Sequence, residues 1–226
     1  MDLSQLPMTL SLAFGLGMLH SLDADHIMTI SNLAAGRPDR KTSLIFSLRW
    51  ALGHGFTLML IGLLVFLFGL SLPTWIAQYA ELGVALILVL IGVYVLFDIL
   101  RRQIHIHFHQ HDDLPVHAHW HTHASHASHQ HTHTATFVGM LHGLAGSAPL
   151  LALLPLAVRQ QPVLGFIYLL IFSAGVLLAM LIFGGLLGVF SQQLQRYSDG
   201  LFRTMRLLLG IGAIGVGTTF FVRVLA

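Results

Sequence analysis

The chain has 226 residues, 55% of them hydrophobic and only 9% charged, with a formal net charge of +2. Ordinary soluble domains carry roughly 25% charged residues, so this composition excludes a soluble fold, and the small excess of arginine gives no footprint for nucleic acid. With no cysteine in it, disulfides, Cys-based zinc sites and thiol-disulfide relays through its own residues are excluded as well.

The apolar runs are each about as long as a bilayer is thick, which predicts an all-α membrane protein of six transmembrane helices. Residues 1–7 lack the basic start of a signal peptide, so the first run is expected to remain as a helix. Span one covers residues 8–35. At 1.5 Å per residue it measures roughly 42 Å against a core of about 30 Å, so a tilt or a break is expected at its polar centre, Asp23 to His26. Residues 36–41, Gly-Arg-Pro-Asp-Arg-Lys, form a turn. Span two, 43–70, begins with an interfacial Arg49-Trp50 neighbourhood and contains Gly53-His54-Gly55; Pro73 and Trp75 mark the next boundary. Span three, 80–100, closes with Asp98, Arg101 and Arg102, read as an i,i+3 or i,i+4 charge pair at the interface.

From residue 103 to 136 the chain changes character, with histidines at His105, His107, His109, His111, His117, His119, His121, His123, His126, His129, His131 and His133 among small polar residues. No core forms from such a composition, so the segment is expected to be a disordered or metal-ordered loop that buffers metal. Spans four to six follow at 137–158, 163–190 and 202–224.

An internal repeat constrains the architecture. Residues 17–22, GMLHSL, recur as GMLHGL at 139–144, and the same offset of 122 places Gly53 and Gly62 on Gly175 and Gly184. Three spans per half reverse the second half relative to the first, which predicts two inverted three-helix repeats, 1–102 and 137–226, joined by the loop 103–136. Basic residues concentrate in alternate loops (Arg37, Arg40, Lys41, Arg101, Arg102 and Arg196) against Arg159 and Arg223 on the other side. Both termini are therefore expected outside and the histidine-rich loop in the cytoplasm, in a cytoplasmic (inner) membrane.

The chemistry concentrates in span one. An aspartate at mid-membrane depth costs about 2.5 to 3.5 kcal/mol even on permissive scales, so a stretch with Asp23 and Asp25 between His20 and His26 must face protein, water or a substrate. Imidazole and carboxylate together suit a divalent transition metal such as nickel, cobalt or zinc. On an ideal helix His20, Asp23 and His26 share one stripe while Asp25 points elsewhere, unless a break brings it back. His54, between two glycines, and His142, the repeat partner of His20, complete the candidate ligand set. Asp25 aligns with Ser147, and Pro149 is expected to kink span four where span one has its acidic break. A single histidine in a helix bundle is ordinarily a packing residue; four ionisable groups within seven residues at membrane depth have no ordinary packing role.

The run His20, four residues, then Asp25-His26 resembles the HX4DH motif of the nickel/cobalt transporter family, and Leu52-Gly53-His54-Gly55-Phe56-Thr57 is similar to that family's second histidine motif, which commonly has serine after the histidine. Six spans, the histidine-rich centre and GMLHGLAGSA at 139–148 look closest to its membrane-type urease accessory (UreH-like) branch. The resemblance implies secondary transport of Ni2+, with Co2+ as the other cargo, by a protein that is not an enzyme and carries no cofactor. Its partners would be the metal ion, the bilayer and cytoplasmic metallochaperones at the loop. Uptake is favoured over efflux. A membrane metal sensor or store and an intramembrane serine protease built on Ser147 are the readings from other classes.

Overall fold

The computed structural model describes residues 6–36, 39–68, 73–102, 107–109, 117–119, 132–146 and 162–226. Ser147, Pro149, Arg37 and Arg159, the second part of span four and the loop histidines other than His107, His109, His117, His119 and His133 lie outside the described residues. The helices are α1 (Leu6–His20), α2 (Ala24–Ala35), α3 (Arg40–Phe68), α4 (Thr74–Arg102), α5 (Thr132–Ala145), α6 (Pro162–Tyr197) and α7 (Asp199–Leu225). A two-stranded antiparallel ribbon, β1 (His107–His109) paired with β2 (His117–His119), is the one described part of the histidine-rich segment before α5.

The helices α3, α4, α6 and α7 are long and apolar enough to cross a membrane, and α1 is a shorter apolar helix. Large hydrophobic side chains cover their outer surface, among them Leu86, Leu90, Tyr94, Leu170, Ile182 and Leu186, while the interior holds buried polar groups. This inside-out distribution is what a bilayer solvent selects. The protein is an all-α integral membrane protein.

Span one is two helices. α1 stops at His20, and Leu22 and Asp23 close its end by donating to the carbonyls of Leu19 (3.0 Å) and His20 (3.1 Å), a tightened last turn. The chain restarts at Ala24, with Ile27 N–H donating to the carbonyl of Asp23 at 3.1 Å. At the start of α3, the Asp39 carboxylate accepts from the backbone N–H and the hydroxyl of Thr42, both at 2.9 Å. Those bonds, the backbone one first, hold the Asp39 carboxyl below its ordinary range.

α3 packs against α5 and α6, α1 against α6, and α4 against α7, with α2 wedged among α3, α4 and α7. The closest approaches come in related pairs. A Cβ on Gly17 would strike the Phe172 carbonyl, and one on Gly139 would strike the Trp50 carbonyl; a Cβ on Gly53 would strike the Thr136 carbonyl, and one on Gly175 that of Phe14. In each pair the two members differ by 122 at both ends, so α3 sits on α5 as α6 sits on α1. Gly55, by contrast, leaves ordinary contact distance to Ser173 and is no such tight point.

Asp98 of α4 also takes part in an ion pair between helices. Arg206 of α7 donates to Asp98 at 2.7 Å, and Arg101 lies over the Phe97 ring, its guanidinium carbon 4.6 Å from the centroid. α7 brings a buried guanidinium to a carboxylate 108 positions away, and a buried charge demands a partner more strongly than an exposed neighbour on the same helix does. Trp50 also departs from its expected interfacial place: it is fully buried at the centre of the bundle.

Candidate metal centre

The break in span one creates the site. Where α1 ends, the carbonyl of His20 is released from helical pairing and accepts from Asp23 N–H and from His26 Nδ1–H at 2.9 Å. With its Nδ1 proton so engaged, His26 keeps Nε2 as its free lone pair. His20, for its part, directs Nδ1–H to the Asp23 carboxylate at 3.1 Å, which leaves Nε2 buried without a partner. α3 supplies His54, fully buried, with neither ring nitrogen bonded to anything.

These three imidazoles converge. One nitrogen from each of His20, His26 and His54 lies within 4.8 Å of the others, and Asp23, Asp25 and His26 form a second set by the same measure. The ring centres of His20 stand 4.7 Å from His26 and 5.5 Å from His54, and His26 stands 5.6 Å from His54. A buried polar atom without a hydrogen bond costs about 1–3 kcal/mol, so His20 Nε2 and the two nitrogens of His54, left without partners, are a cost that packing alone would not retain.

The two aspartates exchange the roles that an ideal helix assigns them. Asp23 turns outward with its side chain 59% exposed, whereas Asp25, 14% exposed, points its carboxylate between His26 Nε2 at 3.8 Å and His142 Nε2 at 3.9 Å. The break rotates α2 relative to α1, and this rotation brings Asp25 inward. His142 is buried too, but it is anchored: Nδ1–H donates to the Val138 carbonyl at 2.8 Å, and Nε2 lies 3.3 Å from the Thr29 hydroxyl, which donates to it. It flanks the imidazole triad and faces Asp25.

Sequence reading missed four residues here. Trp50 stacks on His54 (5.2 Å between ring centres, 26°) and meets His26 at 4.8 Å and His142 at 5.4 Å edge-on. Phe172, its counterpart at the offset of 122, lies 5.6 Å from His20. Thr29 holds His142, and Glu81 is a half-buried carboxylate on α4, a helix that packs against α2. Trp50 was legible as the residue one helical turn before His54, and Phe172 as its repeat partner. Nothing local marks Thr29 or Glu81. Gly146, just past α5, abuts His20: a Cβ there would sit 3.1 Å from Cε1 and 3.2 Å from Nε2 of its ring.

Fold and site together define a helical membrane protein with a buried, imidazole-rich cluster. The chain belongs to the family described as the cytochrome c biogenesis protein transmembrane region, whose profile matches residues 12–215. A urease accessory protein, UreH, of Bacillus sp. (strain TB-90) is 29% identical over 191 residues, covering 84% of this chain and 80% of its own. No solved structure matches.

Proposed function

We propose that the protein is a secondary transporter that carries a divalent nickel or cobalt ion across the cytoplasmic membrane, inward, through the cluster of His20, Asp25, His26, His54 and His142. One observation carries this reading: His20 and His54 hold buried ring nitrogens without partners, and one nitrogen of each converges with one of His26 inside the helix bundle. Neutral imidazoles in a dry site select a borderline transition metal over Mg2+ or Ca2+, which prefer oxygen ligands. An accessory role beside urease, as the relative's name has it, accords with delivering nickel and not with urease chemistry, so no enzymatic activity is proposed.

Residues 1–102 and 137–226 are taken as inverted halves, supported by the paired contacts of Gly17 with Gly139 and of Gly53 with Gly175. Such halves rock about a central site and open it alternately to each side. Uptake needs no nucleotide: a divalent ion falling through 100 mV gains about 4.6 kcal/mol, a bias of more than a thousandfold. No GxxxxGK[ST] loop occurs in the sequence. Both termini are placed outside and the histidine-rich segment in the cytoplasm, where it buffers metal and offers a dock for metallochaperones.

The test is radioactive nickel flux into proteoliposomes under an imposed potential. Wild type should accumulate nickel when the interior is negative, and His20→Ala and His26→Ala, inserted normally, should not. Normal flux in both variants would overturn the site, and accumulation only against the imposed potential would reverse the direction.

A further inference from the structure

The donor groups at the break form two overlapping sets with one shared member. The first, Asp23, Asp25 and His26, offers two carboxylates and reaches the surface through Asp23; the second, His20, His26 and His54, is all imidazole, with His26 and His54 buried. His26 is common to both, and its Nδ1–H is committed to the His20 carbonyl, so a single lone pair, that of Nε2, must serve either set. Asp23 is also shared in effect, because its carboxylate holds His20 Nδ1–H.

We propose that these sets are two successive positions for one divalent cation: an acidic receiving position, which takes a partly hydrated ion on carboxylate oxygen, and an imidazole position, which takes it dehydrated. The proposal rests on the transport reading, which it deepens. Because Nε2 of His26 binds one metal at a time, the positions exclude each other, and the ion passes inward by keeping this one bond while it exchanges carboxylates for His20 and His54. When it leaves, Asp23 returns to His20 Nδ1–H and fixes the ring with Nε2 facing inward, so that emptying the first position prepares the second. The acidic position does not stand on carboxylates alone. It shares the buried His26 with a neighbour in which His20 Nε2 and the His54 nitrogens have no partner.

Such an arrangement sorts ions twice. Oxygen-seeking Mn2+ enters the first position and stops there, because it gains least among first-row divalent ions from imidazole, whereas Ni2+ proceeds.

Mn2+ is therefore the probe, and the histidine-rich segment interferes little with it for the same reason. Purified full-length protein is titrated with Mn2+, and the free ion is read by electron paramagnetic resonance. Wild type should bind one Mn2+ that excess Ni2+ expels. Asp25→Asn and Asp23→Asn should each weaken Mn2+ binding about tenfold or more, equivalent to 1.4 kcal/mol, while His54→Gln leaves it within about twofold. Asp23→Asn guards against misfolding as an explanation, because it changes an exposed turn residue and its amide oxygen still accepts from His20. Equal weakening by His54→Gln and Asp25→Asn would show one composite site and overturn the proposal; so would Mn2+ that stays bound when Ni2+ is taken up. Nickel flux measured on the same wild-type preparation separates the two readings. Exclusion without flux supports the shared His26 and overturns transport, and flux without exclusion overturns the two-position scheme alone.

Discussion

Replacing His54 by leucine should stabilise the metal-free protein while abolishing nickel flux. Both ring nitrogens of His54 are buried without a partner, and at about 1–3 kcal/mol for each unsatisfied group, removing them recovers roughly 2–6 kcal/mol. Fitting a branched side chain under Trp50, whose ring lies 5.2 Å from that of His54, costs about 1–3 kcal/mol. The net expectation is a gain on the order of 1–3 kcal/mol, read as a higher unfolding temperature in detergent with chelator present. Nickel flux into proteoliposomes is the second readout, and it should fall to background. A packing role for His54 predicts the reverse pattern, lower stability with flux retained. That result would refute the argument that the unpartnered imidazoles are kept for a ligand at the expense of stability.

Gly139→Val drives a side chain into the Trp50 carbonyl and Gly17→Val does the same at Phe172, so each should cost about 1–3 kcal/mol and sharply reduce flux; unchanged flux in either would show that the contact is slack. Asp98→Leu should cost about 3–5 kcal/mol by leaving the buried Arg206 without its carboxylate, whereas Asp98→Leu with Arg206→Met should recover most of the loss, as measured by unfolding in detergent. Deleting residues 107–131 should leave flux in place with altered apparent affinity; the nickel bound by this segment in the intact chain should fall between pH 7 and pH 5 as its imidazoles protonate, by equilibrium dialysis. Asp39→Ala removes the cap on α3 and should cost about 0.5–2 kcal/mol at pH 7. Because the folded carboxyl is held low, its contribution is complete above the ordinary carboxylate range of about 4 and disappears as pH falls through the folded value, so the wild-type and Asp39→Ala unfolding curves should merge in acid.

Much of the molecule is determined by the order of its residues. Long apolar runs with few charges permit only helices in a bilayer, since unpaired backbone groups there are too costly. The length of the first run against the membrane thickness, with four ionisable groups at its middle, demanded a break near Asp23 to His26, and the break lies at Ser21 to Asp23. The offset of 122 between GMLHSL and GMLHGL likewise anticipates that Gly17 and Gly139 meet equivalent carbonyls. Periodicity on an unbroken helix, however, assigned Asp23 to the inner stripe and Asp25 away from it, and the three-residue turn reverses them, because the direction of every side chain in α2 depends on a rotation that no local pattern encodes. Only the packing of α3 on α5 and α6 carries Trp50 from an expected interface into the middle of the histidines. Only the approach of α7 to α4 gives Asp98 a partner 108 residues away. Sequence specifies which groups must escape lipid; where they find one another is decided by helix rotation and by which glycines allow two backbones to touch.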